Sequence, residues 1–137
     1  MTYLLVFTST FFITNVVVGL YMGHILYATL FLVLTCTSVL HHSSLTPSEH
    51  LTRLDRGTCI IVALYGAYMI YHKELFHTVS FVNAMILFCF MVCVVFYEYG
   101  GQTHSFCFDS SPYVALFYHT CMHLFGSVGH HFIMLSA

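Results

Sequence analysis

Four histidines lie between positions 119 and 131, in a stretch whose other residues are mostly apolar. His119 and His123 are four residues apart, so at about 100° per residue they share one face of a helix and lie one turn apart. Two imidazoles in this relation can direct their nitrogens at one point, as when a helix supplies two ligands to a tetrahedral zinc ion. The spacing predicts a metal site. The alternative is that these histidines only form hydrogen bonds between helices.

The composition of the chain indicates the environment of this site. Of the 137 residues, 59% are apolar and only 6% are charged, whereas an average soluble domain has about 25% charged residues. We therefore predict an all-α integral membrane protein whose surroundings are membrane lipids. The net charge of -2, without a basic stripe, excludes a nucleic-acid partner. The six cysteines form no C-x-x-C pair and are interpreted as small hydrophobic residues.

Five apolar segments predict five transmembrane helices, because roughly 20 apolar residues cross a hydrocarbon core. We place them in a single membrane domain over residues 1–137, at about 2–21, 24–44, 57–71, 79–97 and 112–134. Segments 45–56 and 98–111 are predicted to be loops. Arg53 and Arg56 lie in the first loop, against Lys73 on the opposite side, which favours a cytoplasmic or equivalent position for that loop. The sequence does not identify the membrane.

Other polar residues are expected in the same half of the bilayer as His119 and His123. Ser38 and His42 repeat the four-residue spacing at the end of the second span, and Asp55 directly precedes the third span. Spans two and three meet on the side where span five begins. Polar groups that are distant in sequence therefore converge at a similar depth, which is how a functional site forms.

The residue types suggest a role for each of these side chains. His42 could be the third ligand of a zinc ion, leaving a fourth position open for water, whose pKa the metal lowers to about 7. Asp55 could accept a hydrogen bond from a ligand imidazole or from the metal-bound water. Ser38 could bond to a substrate oxygen or stabilise an oxyanion. His41 leaves the choice of ligand open, since adjacent helical residues point about 100° apart.

Three motifs resemble the signatures of a known family. "SVLHH" at 38–42, "LDRG" at 54–57 and "HTCMHLFG" at 119–126 look like those of the CREST superfamily of seven-span membrane hydrolases, which includes alkaline ceramidases and myomaker-like proteins. The resemblance implies that the three histidines bind zinc. It also implies that Asp55 and Ser38 surround the metal-bound water that attacks a lipid amide. Five spans in place of seven indicate a shortened form.

Two functions remain open on this basis, and the sequence does not decide whether the protein is an enzyme. The first is a zinc-dependent membrane lipid hydrolase, a ceramidase-like amidase with three histidine ligands. The second is a catalytically inactive accessory subunit, derived from the same family, in a larger complex with other membrane subunits. His130 continues the stripe of His119 toward the opposite side, and we interpret it as an interfacial side chain.

Overall fold

The protein is a bundle of α-helices. The computed structural model describes residues 2–44, 46, 48–73 and 80–137, and throughout these residues the regular structure is helical. The helices are α1 (Thr2–Ser9), α2 (Phe12–Tyr21), α3 (Ile25–Ser43), α4 (Glu49–His72), α5 (Phe81–Val94), α6 (Gly100–Thr103) and α7 (Pro112–Ser136). A π-helical turn, Val95–Tyr99, joins α5 to α6, and a 3-10 turn, Phe106–Phe108, precedes α7.

Three helical segments are long and apolar enough to cross a membrane: Tyr3–Tyr21, Ile25–Ser43 and Phe81–Thr103. They coincide with the first, second and fourth predicted spans, although residue 79, the predicted start of the fourth, lies outside the described residues. Helices α4 and α7 contain 24 and 25 residues, or roughly 36 Å at 1.5 Å per residue. This length is sufficient to cross a membrane, but charged residues in α4 and histidines in α7 make these two helices less apolar than the three segments above.

The prediction of a loop over 45–56 is wrong in its second half, because α4 already begins at Glu49. The Ser48 hydroxyl accepts a hydrogen bond from the backbone N–H of Leu51 at 3.2 Å, which caps the helix. One turn further on, Arg53 donates to the Glu49 carboxylate at 2.5 Å, a pairing that stabilises exposed helices. The charges that suggested a loop therefore support the first turns of a helix.

The predicted loop 98–111 is also helical at its start. The helix continues through the π turn and ends at Thr103, where His104 adopts a left-handed conformation with φ 52°. Gly100 indicated a helix break, but here it permits a close approach. A Cβ atom at this position would lie 2.7 Å from the carbonyl oxygen of Ser105. Glycine therefore allows the chain to fold back tightly against the end of the helix.

A two-residue turn at Thr10 and Phe11, which we call the bend, separates α1 from α2 within the first predicted span. Three consecutive hydroxyls donate to carbonyls of the preceding turn: Thr8 to Leu5 at 3.2 Å, Ser9 to Leu5 at 2.8 Å, and Thr10 to Phe7 at 2.6 Å. Such back-bonding competes with the backbone ladder and bends helices. The side chains of Thr8 and Ser9 are buried in the bundle.

Helix α7 lies at the centre of the bundle. It packs against α1, α2 and α5 and contacts α4, while α3 packs against α1, α2 and α4. Apolar side chains from five of these helices, including Phe12, Phe31, Val62, Ile86 and Ile133, fill the core between them. The residues of α7 are therefore positioned by the remainder of the bundle.

Buried polar pairs fix α7 against its neighbours. Asn15 donates to the Ser127 carbonyl at 2.9 Å and accepts from the Ser127 hydroxyl at 2.5 Å. The Tyr27 hydroxyl is hydrogen-bonded to Nδ1 of His130. The interpretation of His130 as an interfacial residue is wrong, because this side chain is only 5% exposed. Its tyrosine partner on α3 satisfies it inside the bundle, as buried polar groups require.

Gly66 on α4 is the position where we expect a small substitution to perturb this packing. A Cβ atom there would lie 2.8 Å from Cε1 of His130 and 2.9 Å from the Tyr27 hydroxyl, whereas a Cβ atom on Gly57 would meet no atom within 4 Å. Gly66→Ala should lower the free energy of unfolding by about 1–3 kcal/mol relative to Gly57→Ala, the usual cost of overpacking. Thermal unfolding in detergent measures both variants, and equal stabilities would contradict the described packing.

Candidate metal centre

Three imidazoles from two helices meet inside the bundle. His42 lies in the last turn of α3, and His119 and His123 lie one turn apart on α7. One ring nitrogen from each lies within 4.8 Å of the others. The ring centroids are separated by 4.9 to 5.3 Å. The folding of the chain therefore brings together the three residues that the sequence analysis selected as metal ligands.

The structure also distinguishes His42 from its neighbour His41. Only His42 contributes a nitrogen to the cluster, and its side chain is buried at 7% exposure. The ring of His41 packs against that of His42 with centroids 4.8 Å apart and is half-buried. Of the two adjacent histidines, His42 therefore faces α7.

The donor set fits a metal ion. Nε2 of His42 is buried and has no hydrogen-bond partner, a state that costs free energy unless another group satisfies the nitrogen. Zinc binds imidazole nitrogens at about 2.0–2.1 Å, so two nitrogens on a tetrahedral ion lie roughly 3.4 Å apart. The separations of up to 4.8 Å require only small movements of the rings to reach that value.

Two residues that the sequence analysis did not select contact this site from the bend in the first span. Oγ1 of Thr8 lies 3.0 Å from Nδ1 of His123, and Oγ of Ser9 lies 2.9 Å from Oγ of Ser38. The available signal was the run of three hydroxyl residues inside an apolar segment. Three such residues in a row are unusual on a surface that faces lipid, but each alone is compatible with a membrane helix.

Ser38 and Asp55 are both buried, but neither bonds to the three imidazoles. Ser38 is 2% exposed, and its hydroxyl is hydrogen-bonded to that of Ser9. Asp55 is 9% exposed, and its Oδ1 accepts a hydrogen bond from Thr37 at 3.4 Å. This is a long hydrogen bond, and therefore a weak one. Ser38 lies on the helix that carries His42, Asp55 lies on α4, and the polar atoms of both are engaged by neighbouring hydroxyls.

The cysteines do not form a comparable cluster. Among the described residues, the three histidines are the group of three or more potential ligands that come together. Burial raises the pKa of Cys107, in the turn before α7, to about 11, so this thiol stays protonated at neutral pH. A metal binds the thiolate. This geometry agrees with the interpretation of the cysteines as hydrophobic residues.

Comparisons with protein-family models, curated proteins and solved structures find no match. The resemblance to the CREST superfamily therefore depends on the motifs themselves. It consists of five residues in a fixed order along the chain, namely Ser38, His42, Asp55, His119 and His123.

Proposed function

We propose that the protein is a zinc-dependent hydrolase of the membrane, which cleaves a lipid amide of the ceramide type. The observation that carries this proposal is the convergence of three imidazole nitrogens within 4.8 Å, together with Nε2 of His42, which is buried without a hydrogen-bond partner. The resemblance of the motifs to those of the CREST superfamily supplies the class of substrate. Among the described residues no fourth His, Cys, Asp or Glu joins the three histidines, and three protein ligands are typical of catalytic zinc, since structural sites are closed by four.

A position within the bilayer, with five spans, is part of the proposal. The outward faces of the helices carry large apolar side chains that would be costly to expose to water over so wide an area. Helices α4 and α7 belong to the same bundle as the three apolar segments, so we propose that they cross the membrane with them. Exposed apolar side chains on these faces include Leu20, Leu32, Ile60, Leu64, Phe88 and Phe117.

In this proposal His42, His119 and His123 hold the zinc ion, and the remaining side chains prepare the substrate. Bound zinc supplies a Lewis acid that polarises a carbonyl group and makes water acidic. Ser38 lies one turn from His42 on α3, so its hydroxyl is placed to bind a polar group of the lipid next to the scissile amide. The apolar side chains around the site exclude bulk water, which strengthens these polar contacts.

Hydrolysis of an amide also requires a group that takes a proton from water and returns one to the departing amine. Asp55 is the buried carboxyl group among the described residues, since Glu49 and Glu98 are exposed and Asp109 is half-buried. Its hydrogen bond to Thr37 is long, at 3.4 Å, so the carboxylate can turn toward the substrate at little cost. Catalytic hydrogen bonds often tighten only when the substrate is bound.

The test is metal analysis of the purified protein together with a ceramide turnover assay. We expect about one zinc per chain and release of fatty acid from ceramide in detergent or in vesicles. His119→Ala should remove both the zinc and the activity. Protein that contains no zinc after purification without chelators, and takes up none when zinc is added, would disprove the proposal.

A second candidate is an inactive accessory subunit of a larger membrane complex. The observation that favours it is the bonding of the two non-histidine residues, since Asp55 bonds to Thr37 and Ser38 bonds to Ser9. Both side chains thereby have a hydrogen-bond partner within the protein, although the bond to Asp55 is weak. Purification in mild detergent tests this candidate. An accessory subunit should co-purify with partner chains in fixed ratio, and a chain that remains alone under such conditions would exclude the role.

A further inference from the structure

We propose that Thr8 and Ser9 are positioning residues for the histidine site. Thr8 fixes the proton of His123 on Nδ1, so that Nε2 faces the cluster, and Ser9 fixes the direction of the Ser38 hydroxyl. The use of this arrangement in metal binding rests on the proposed function above. The tautomer of His123 is a property of the metal-free protein and can be measured separately.

The argument for Thr8 begins with its single hydroxyl proton. The carbonyl of Leu5, 3.2 Å away in the preceding turn, can accept this proton. With the proton placed there, the ring nitrogen is the donor in the 3.0 Å contact between Thr8 Oγ1 and His123 Nδ1, since a hydroxyl has one proton to give and two lone pairs to accept with. In this proposal His123 is the Nδ1–H tautomer, and its Nε2 carries the free lone pair that a metal needs.

Packing holds the ring in the same orientation. The ring of Phe12, at the start of α2, lies 5.3 Å from the ring of His123 at an interplanar angle of 56°. The His123 side chain is only 5% exposed, so it has little room to rotate. The bend between α1 and α2 supplies both contacts, because Thr8 precedes the bend and Phe12 follows it.

The same reasoning gives the direction of the Ser38 hydroxyl. In the same proposal the Ser9 proton goes to the Leu5 carbonyl, 2.8 Å away, which makes Ser38 the donor at the 2.9 Å contact between the two serines. The lone pairs of Ser38 then remain available to the site. Ser38 would accept a hydrogen bond from the substrate, and its predicted role as donor to an oxyanion would not apply. A lipid with an N–H or hydroxyl beside the amide carbonyl matches this acceptor.

The first experiment measures the tautomer of His123 by NMR of the metal-free protein, labelled with ¹⁵N-histidine, in detergent micelles. We expect the wild-type ring to show a protonated Nδ1 and an unprotonated Nε2. Thr8→Ser keeps the hydroxyl and should keep this pattern, whereas Thr8→Val should allow a mixture of tautomers. A wild-type ring protonated on Nε2 would overturn the inference, and this measurement needs no variant to fold.

The second experiment measures zinc affinity by competition with a chelator. Loss of a hydrogen bond to the other ring nitrogen of a ligand histidine typically weakens metal binding roughly 10–100-fold. We therefore expect the zinc affinity to fall by this factor in Thr8→Val and to stay near the wild-type value in Thr8→Ser. Thr14→Val is the matched control, because the Thr14 hydroxyl also bonds back to its own helix but is exposed. Its affinity should equal that of the wild type.

The outcomes separate this inference from the proposed function. A wild-type protein that binds no zinc would refute the hydrolase, while the NMR result would still decide the tautomer. A wild-type protein that binds zinc no more tightly than Thr8→Val would instead refute the positioning role and leave the hydrolase proposal standing. The absorption spectrum of the Co²⁺-substituted protein gives a further check, because a reoriented His123 changes the ligand field without loss of the fold.

Discussion

Replacing His42 with alanine should remove zinc from the purified protein, while replacing its neighbour His41 should leave the zinc bound. His42 supplies one of three nitrogens that lie within 4.8 Å of each other. Loss of a direct ligand is expected to weaken binding by more than the roughly 10–100-fold that follows from loss of an outer hydrogen bond. Elemental analysis of protein purified in detergent measures the effect.

His41→Ala is a stringent control because the two residues are adjacent, chemically identical and in ring contact. A general effect of an alanine substitution on the end of α3 would appear in both variants. Zinc lost equally from both, or retained in both, would contradict the assignment of His42 as a ligand.

Asp55→Asn should retain the zinc and the fold but lower turnover of a ceramide substrate by about 10²–10⁴-fold, the usual contribution of general acid–base catalysis. Asparagine has nearly the same shape and can still accept the hydrogen bond from Thr37, but its amide cannot take up a proton. Turnover measured at saturating substrate, with the zinc content determined on the same sample, separates loss of chemistry from loss of metal.

Glu98→Gln is the matched control for Asp55→Asn, since Glu98 is an exposed carboxylate in the π turn. It should leave turnover unchanged. A wild-type rate in Asp55→Asn would remove the carboxylate from the proposed mechanism. If zinc is bound but neither the wild type nor any variant turns over ceramide, the result favours the accessory subunit.

The helices and the candidate ligands could be predicted from the sequence because both depend on local periodicity. The four-residue spacing of His119 and His123 fixes their relative direction whatever surrounds them, and apolar runs indicate spans. The sequence analysis selected His42 as the third ligand but left His41 open, since the choice depends on how α3 is rotated against α7. That rotation is set by packing between helices, and the sequence of one helix alone does not determine it.

The contribution of the first span was not predictable for a different reason. Thr8 and Ser9 lie at the end of α1, and the partner of Thr8, His123, is more than a hundred residues away in the sequence. Likewise, the start of α4 at Glu49 depended on a serine cap and an ion pair whose charges also suit a loop. In each case a short polar side chain can form either a local or a distant hydrogen bond, and the tertiary structure determines which of the two forms.

The central position of α7 has a consequence for biosynthesis. Thr8, Asn15 and Tyr27 find their partners on α7 at sequence separations of 115, 112 and 103 residues. At about 5–20 residues per second, a ribosome needs roughly 5–20 s to make the intervening chain. During that interval these polar groups are without their native partners. In the proposed position within the bilayer, a nascent chain halted before α7 would therefore present unpaired intramembrane polar groups that membrane chaperones and quality-control proteases can detect.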